Sequence, residues 1–109
     1  MSVTALTRGV PASIARCEPM HAARVPIDLG RARSQHEAYE RTLEALGCRV
    51  QRLDVDERFP DSVRIADTAV VLPELAVLTR PGAVSRQGEE EAVAEALAPL
   101  RRVVRIAAP

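Results

Sequence analysis

The stretch that decides the fold is IDLGRARSQHEAYERTLEALGCRVQRL, residues 27–53. Asp28 stands where an N-cap belongs, because its carboxylate can accept a hydrogen bond from the free amides of a first helical turn. Gly47 stands where a C-terminal cap belongs, since glycine readily adopts the left-handed backbone that ends many helices. We therefore predict a helix over residues 27–46, followed by a strand over Cys48–Leu53. The helix face that we expect to be apolar recurs at spacings of four and three, and it comprises Ala32, His36, Tyr39, Leu43 and Leu46.

The flanking sequence extends this pattern in both directions. Residues 2–7 (SVTALT) predict a first strand, and residues 8–26, which include three prolines, predict a long surface loop. Residues 63–72 and 75–79 predict an antiparallel hairpin that turns at a Pro-Glu pair. Residues 85–100 predict a second helix, with three glutamates near its start, and residues 103–106 predict a last strand. The resulting order of strand, helix, strand, hairpin, helix and strand favours the α/β class.

The composition narrows the possible functions. Hydrophobic residues make up 47% of the chain and aromatic residues only 2%, so the core must consist of small aliphatic side chains. We expect a stability on the order of 5 kcal/mol if the chain folds alone. Fifteen basic residues, all arginine and spread along the chain, balance fifteen acidic residues, which argues against a nucleic-acid partner. No apolar run approaches about 18 residues and no signal-like start is present, so we expect a cytoplasmic protein without a membrane partner.

The cysteines and histidines suggest no metal centre. Cys17, Cys48, His21 and His36 do not follow the spacing of a zinc site, and nothing indicates a structural disulfide. Cys17 has no base near it in the sequence, so we interpret it as an ordinary loop thiol. We interpret His36 as a packed histidine on the apolar helix face and His21 as an exposed loop residue. We therefore predict no catalytic residue, no metal site and no cofactor among these side chains.

Two stretches combine residue types that bind charged ligands. The first is PDSVRIADTAVV, residues 60–71, in which Asp61 and Asp67 lie at either side of a β-rich run. By spacing alone it is typical of a surface loop that opens a hairpin, with Asp61 and Ser62 as turn residues. The second is TRPGAVSR, residues 79–86, which reads as a strand, a turn and a helix start. Arg86 would place a cation at the positive end of the helix dipole, which suggests an anionic partner.

Both stretches resemble the bacterial dimethylarginine dimethylaminohydrolases, members of the guanidine-modifying superfamily. The opening TRGVPAS of residues 7–13, the helical QHEAY of residues 35–39 and the block of residues 79–86 support the resemblance. The family fold is a ring of five ββαβ-type modules around a substrate channel. The resemblance implies that residues 1–109 form one partial domain: the first ββαβ-type module, and the start of the next, of a five-module α/β propeller.

The resemblance also assigns roles to individual residues. In the family, a cysteine attacks the guanidinium carbon, an alkylamine leaves, water releases citrulline and a histidine transfers protons. We expect that cysteine, the histidine and a further catalytic glutamate to lie outside these 109 residues, which leaves no catalytic residue here. Asp67 corresponds to the carboxylate that holds the guanidinium, Asp61 to a residue near the substrate's α-amino group, and Arg86 to an arginine that grips its α-carboxylate.

Three positions depart from the family pattern. Ala66 replaces a usual glutamate, and its loss from a closed site would weaken cation binding by about 2–4 kcal/mol. Arg64 replaces a usual phenylalanine, which changes a packing residue into a charge. Pro19 stands near a leucine position in the lid loop, where proline cannot donate a backbone hydrogen bond.

Three hypotheses follow. The first is an incomplete or degenerate dimethylargininase-like hydrolase that keeps part of the substrate cradle and binds arginine-like small molecules weakly. The second is a non-catalytic module that reuses the fold for binding or interaction. The third is one half of a split enzyme, completed by a partner chain that supplies the histidine and the cysteine. In each case we expect exposed strand edges to favour self-association.

Overall fold

Strands and helices alternate along the chain, and together they build two units with a sheet each. The computed structural model describes residues 3–17 and 26–107. The first unit covers residues 1–63 and contains β1 (Val3–Arg8), α1 (Leu29–Ala45) and β2 (Cys48–Leu53). The second covers residues 64–109 and contains β3 (Ala69–Val71), β4 (Leu75–Leu78), α2 (Glu89–Leu97) and β5 (Arg102–Arg105). The α/β class predicted from the sequence is therefore confirmed, and residues 18–25, with Pro19 and His21, lie outside the described part.

In the first unit, two parallel strands are joined through one helix. β1 pairs with β2 in parallel, from Val3 opposite Cys48 to Arg8 opposite Leu53. The predicted caps of α1 are both confirmed. The side chain of Asp28 accepts a hydrogen bond from the backbone N–H of Arg31 at 3.0 Å, and Gly47 has a φ of 96°. The predicted helix is longer than α1 by two residues at its start and one at its end.

The inward face of α1 differs from the predicted apolar face. Tyr39 is 56% exposed and Leu46 is 76% exposed, whereas Glu40 is only 4% exposed. The reason is that Glu40 receives hydrogen bonds from both strands: from Thr7 Oγ1 at 2.5 Å and from the guanidinium of Arg52. These bonds to a charged acceptor offset the cost of burying the carboxylate. A polar residue therefore occupies the centre of the helix–sheet interface.

The loop predicted over residues 8–26 contains a short ordered turn. A 3₁₀ helix covers Ala12–Arg16. Both oxygens of Glu57 accept backbone hydrogen bonds from this turn, from the amide of Ala12 at 3.0 Å and from that of Ser13 at 2.8 Å. Those bonds lower the pKa of Glu57 below its ordinary value, the Ala12 amide being the largest cause. The carboxylate thus stabilises a segment that the composition alone predicts to be irregular.

The second unit has a three-stranded mixed sheet. β3 pairs with β4 in antiparallel fashion and β4 pairs with β5 in parallel, so β4, α2 and β5 form a second strand–helix–strand unit. The aliphatic side chains buried in the sheet and the helix are Ala76, Leu78, Val93, Ala94 and Leu97. Each fully buried leucine or valine contributes about 1.5–3 kcal/mol relative to exposure. Among the described residues, no helix is long and apolar enough to cross a membrane.

Three predicted boundaries in this unit are wrong, one of them the end of the second helix, which is at Leu97 and not at residue 100. Ile65–Thr68 is a 3₁₀ turn and not the beginning of a strand, because Thr68 Oγ1 donates to the carbonyl of Ile65 at 2.6 Å and favours a turn. The second helix begins at Glu89 and not at residue 85, since Gly88 has a φ of 108°, outside helical geometry. The segment Val84–Arg86 forms a separate 3₁₀ turn before it.

Candidate functional site

The second unit contains a cluster of three charged side chains: Asp67, Arg86 and Glu89. Arg86 Nη1 donates to Asp67 Oδ2 at 2.9 Å. On its other side, Arg86 Nε donates to Glu89 Oε2 at 3.0 Å and Nη2 donates to Glu89 Oε1 at 2.9 Å. Nη2 also donates to the carbonyl of Arg64 at 3.2 Å. The guanidinium of Arg86 therefore bridges two carboxylates and a backbone carbonyl.

Each member of the cluster is placed by the end of a short element. Asp67 belongs to the Ile65–Thr68 turn, and its carbonyl accepts a hydrogen bond from Thr79 Oγ1 at 2.6 Å, directly after β4. Arg86 ends the Val84–Arg86 turn, where its amide donates to the carbonyl of Ala83 at 3.0 Å. Glu89 is the first residue of α2. The strand end, the turn and the helix start therefore converge on one point.

Exposure changes steeply across the cluster. The side chain of Glu89 is 0% exposed, that of Arg86 is 12% exposed and that of Asp67 is 56% exposed. The hydrogen bonds that Arg86 donates to Glu89 raise the pKa of Arg86 above its ordinary value, and the bond that it donates to Asp67 adds to this effect. Arg86 is consequently charged at every physiological pH. The cluster carries one positive and two negative charges, and its exposed end is a carboxylate.

The structure brings two of the three predicted substrate-binding residues into contact. Asp67 and Arg86 form an ion pair within the second unit. Asp61 belongs to the first unit, where it is 1% exposed and lies beside the buried Ser62. The roles that the resemblance assigns to these residues stay predictions.

Sequence reasoning missed Glu89. The three glutamates of residues 89–91 were interpreted only as favourable charges at a helix start. Glu89 is three residues from Arg86, but Gly88 breaks the helix between them, so helical spacing does not explain their contact and the sequence carries no signal for it. The two glutamates that follow it have other partners. Glu90 accepts a hydrogen bond from the amide of Gly88 at 3.0 Å, and Glu91 forms an ion pair with Arg105 at 2.9 Å.

Two of the positions that depart from the family pattern, Ala66 and Arg64, adjoin the cluster. Ala66 is exposed next to Asp67 in the same turn. Arg64 contributes its carbonyl to Arg86. Cys17 is a free, partly exposed thiol directly after the first 3₁₀ helix, as expected of a loop cysteine, and Cys48 is also free. Within the described ranges, no group of histidine, cysteine and acidic side chains could hold a metal ion.

The first unit has a charged cluster of its own around Glu40. The hydrogen bond from Arg52 is the largest of the effects that lower the pKa of Glu40. His36 Nε2 lies 3.7 Å from Glu40 Oε2 and its side chain is 12% exposed, so the histidine is largely buried as predicted, but it lies beside a carboxylate and lines a cavity instead of packing on an apolar face. An open cavity of about 170 Å³ next to this cluster is lined partly by Arg33, Arg52 and Glu37.

The chain resembles known proteins in sequence. It is 44% identical over 68 residues to the N(G),N(G)-dimethylarginine dimethylaminohydrolase of Pseudomonas aeruginosa, a match that covers 62% of this chain and 27% of that protein. It is 38% identical over 99 residues to the protein of the same name from Streptomyces coelicolor, covering 91% of this chain and 38% of that one. No family model matches the sequence.

Solved structures give the same result for the fold. A dimethylarginine dimethylaminohydrolase in adduct with S-methyl-L-thiocitrulline superimposes with a TM-score of 0.93 at 34% identity, covering 100% of this chain and 43% of that one. The Pseudomonas aeruginosa enzyme complexed with citrulline gives a TM-score of 0.90 at 35% identity, covering 95% and 41%. The chain is thus an α/β protein with the fold of part of a guanidine-modifying hydrolase.

In sequence and fold, the chain is a homologue of part of the dimethylarginine dimethylaminohydrolases. It spans 27% and 38% of the lengths of the two curated relatives named above. The resemblance predicted from the motifs of residues 60–71 and 79–86 is confirmed.

Proposed function

We propose that these 109 residues supply part of the substrate cradle of a dimethylargininase-like hydrolase, whose family reaction converts methylarginine and water into citrulline and an alkylamine. The observation that carries the proposal is the exposed carboxylate of Asp67, which accepts a hydrogen bond at 2.9 Å from the largely buried side chain of Arg86. A carboxylate that is both oriented and accessible can accept two parallel hydrogen bonds from a guanidinium. Arg86 is the second cradle residue of this unit, and Asp61, in the first unit, keeps the role near the substrate's α-amino group that the resemblance gives it.

We propose that the nucleophile and its base come from outside these residues. Cys17 directly follows the first 3₁₀ helix and Cys48 begins β2, and the resemblance matches neither of them to the family's cysteine. Nucleophilic catalysis needs a cysteine and a base within hydrogen-bond reach of each other and of the substrate. We also propose that the two units correspond to the first module, and part of the next, of a five-module propeller, since each contains a strand–helix–strand unit with a parallel pair.

Binding is tested by NMR titration of the 109-residue chain with asymmetric dimethylarginine. The site is open to water, so each ion pair contributes about 0–1 kcal/mol and we expect a dissociation constant of about a millimolar or weaker. Asp67→Ala should abolish the shifts, and Ala66→Glu should strengthen binding because it restores a second acid. Glu74→Ala, which removes an exposed acid from the β3–β4 turn of the same unit, is the matched control and should change nothing. Shifts that survive Asp67→Ala would refute the proposed cradle.

Catalysis is tested separately. The 109-residue chain alone should release no citrulline from dimethylarginine above background, because a cysteine without a positioned base is a poor nucleophile. Citrulline release by the pure chain that disappears in Cys17→Ala would show that a nucleophile is present after all. Activity that appears only when a second chain is added would favour the split-enzyme hypothesis.

A further inference from the structure

We propose that the cavity in the first unit binds a small zwitterion, a free α-amino acid with a short side chain. The cavity has a volume of about 170 Å³, and all of its lining residues belong to the first unit. It uses none of the cradle residues Asp61, Asp67 and Arg86. The support comes from the position of the cavity in the fold, its hydrogen-bond donors, its charges and its size.

The cavity lies at the carboxyl ends of the two parallel strands of the first unit. Gly9 directly follows β1, while Arg52 and Val55 lie at the end of β2 and just after it. Another wall is the first half of α1, where Arg33 and Glu37 are four residues apart and therefore share one side of the helix. Ligands of open α/β sheets bind at this end of the strands.

A buried carboxylate holds the guanidinium of Arg52 in one orientation. Nε and Nη2 of Arg52 both donate to Glu40, which is 4% exposed. A guanidinium has five N–H groups, so three remain: two on Nη1 and one on Nη2. Within residues 3–17 and 26–107, none of these three has an acceptor. One N–H from each nitrogen forms a second fork that fits the carboxylate of a ligand.

Arg33 adds further donors to the lining, and Glu37 adds an acceptor. Nε of Arg33 donates to the carbonyl of Val10 at 3.3 Å, which connects α1 to the segment after β1. The N–H groups on its two Nη atoms have no acceptor in the part of the chain that the structure describes. The cavity therefore combines donors for a carboxylate with a carboxylate for an ammonium group.

The charges around the cavity favour a zwitterion over a simple anion. Two guanidiniums and one carboxylate line it, with His36 counted as neutral. The charged side chains around this lining are Glu40, Asp54, Asp56, Glu57, Arg8 and Arg58. Positive charge is therefore not in excess, so a doubly charged anion such as phosphate is disfavoured. A ligand with one charge of each sign can pair with both kinds of group.

The volume of the cavity limits the size of the ligand. A cavity of about 150 Å³ holds a molecule the size of benzene, and L-alanine has as many non-hydrogen atoms as benzene. Val10 and Val55 give the lining an apolar part, which suits a short aliphatic side chain. L-Alanine is therefore the probe that matches the size, the charges and the apolar part.

The test is an NMR titration of the 109-residue chain with L-alanine, acetate, methylammonium and inorganic phosphate, followed through the backbone amides of Gly9 and Val10. L-Alanine should bind about fivefold more tightly than acetate or methylammonium. The reason is that each of these two probes carries only one of its charges, and an ion pair open to water contributes little. Phosphate that binds more tightly than L-alanine would reveal an oxyanion site and overturn the proposal.

Single variants assign the two charges of the ligand to their partners. Glu37→Gln should weaken the binding of L-alanine and methylammonium by about fivefold and should not weaken that of acetate. Arg33→Gln should weaken L-alanine and acetate and leave methylammonium unchanged. Arg41→Gln and Glu44→Gln change exposed positions of α1 outside the lining. They are the matched controls, and no affinity should change by more than about 1.5-fold.

A conservative variant tests the fork itself. Arg52→Lys keeps a positive charge beside Glu40 but has no planar fork, so it should weaken L-alanine and acetate by about fivefold. If Arg52→Lys does not fold, the exposed variants Arg33→Gln and Glu37→Gln decide.

Two outcomes would overturn the proposal without touching the proposed function. The first is the absence of shifts at Gly9 and Val10 even at tens of millimolar L-alanine. The second is shifts confined to the amides around Asp67 that persist in Glu37→Gln, which would assign L-alanine to the substrate cradle. In both cases the titration with dimethylarginine still decides whether the cradle exists.

Discussion

The buried carboxylate of Glu40 should be energetically coupled to the hydroxyl of Thr7. Two substitutions test this coupling. Thr7→Val replaces the hydroxyl by a methyl group of similar volume, and Glu40→Met keeps the length of the side chain and removes its charge. In the folded chain, Thr7 is 2% exposed and donates to Glu40 at 2.5 Å. Once Glu40 is replaced, the hydroxyl has lost that partner and its burial is unfavourable.

The magnitude follows from what each variant leaves behind. Thr7→Val removes one hydrogen bond to a charged acceptor, which costs about 2 kcal/mol. Glu40→Met also releases Arg52, but the Arg52 side chain is 53% exposed and regains water, so we expect a total loss of about 3 kcal/mol. Adding Thr7→Val to Glu40→Met should cost almost nothing further, because it removes the stranded hydroxyl. The coupling energy is therefore about 2 kcal/mol.

The assay is urea unfolding of the parent, the two single variants and the double variant, with the free energy of unfolding taken from linear extrapolation. The control is Thr4→Val, on the exposed part of the same strand, which should be additive with Glu40→Met within about 0.5 kcal/mol. If the Thr7 and Glu40 variants are additive to the same degree, the hydroxyl–carboxylate bond does not stabilise the helix on its sheet.

Three further outcomes are expected. Val71→Lys, on the edge strand β3, where this valine is 53% exposed, should reduce self-association in sedimentation velocity, and an unchanged distribution would exclude that edge as the contact. The hydrogen bond from Arg58 holds the pKa of Asp56 at about 2, so the stabilisation of the fold by the Asp56 carboxylate is present above about pH 4 and is lost toward pH 2. Asp56→Asn should reduce this acid-induced loss of stability by about 1 kcal/mol, measured by circular dichroism. The effect is small because the Arg58 side chain is 78% exposed. Gly9→Ala would place a Cβ 2.7 Å from Cγ2 of Val55 and should destabilise by about 1–3 kcal/mol in a thermal melt, with partial rescue by Val55→Ala as the check on this cause.

The parts of the fold that the sequence predicts are those whose causes are local. Asp28 caps the amide of Arg31, three residues along, and Gly47 supplies its own left-handed backbone, so both ends of α1 could be placed within two residues. The burial of Glu40 could not be predicted, because its partner Thr7 lies 33 positions away in the sequence. A periodicity that counts only apolar residues treats a buried carboxylate as a surface residue.

The same distinction applies to the candidate site. Asp67 and Arg86 were identified by motif, yet their direct contact depends on two separate turns that meet across 19 positions of sequence. α2 begins later than predicted because Gly88 has a φ of 108°, and the sequence alone does not predict this angle. A helix that began at residue 85 would have placed Arg86 in regular helical geometry. The 3₁₀ turn before Gly88 instead presents its guanidinium to Asp67 and Glu89 together.

The paired strands of the two sheets are separated by very different lengths of sequence, and this difference determines the order in which the sheets can form. Val71 pairs with Ala76 through a tight turn, whereas Val3 pairs with Cys48, 45 positions further along the chain. Closing a hairpin takes about 1–10 μs, while a parallel pair about 45 positions apart must lose much more loop entropy before any pairing is gained. The β3–β4 hairpin should therefore gain protection from hydrogen exchange early in refolding, and the β1–β2 pair should follow it.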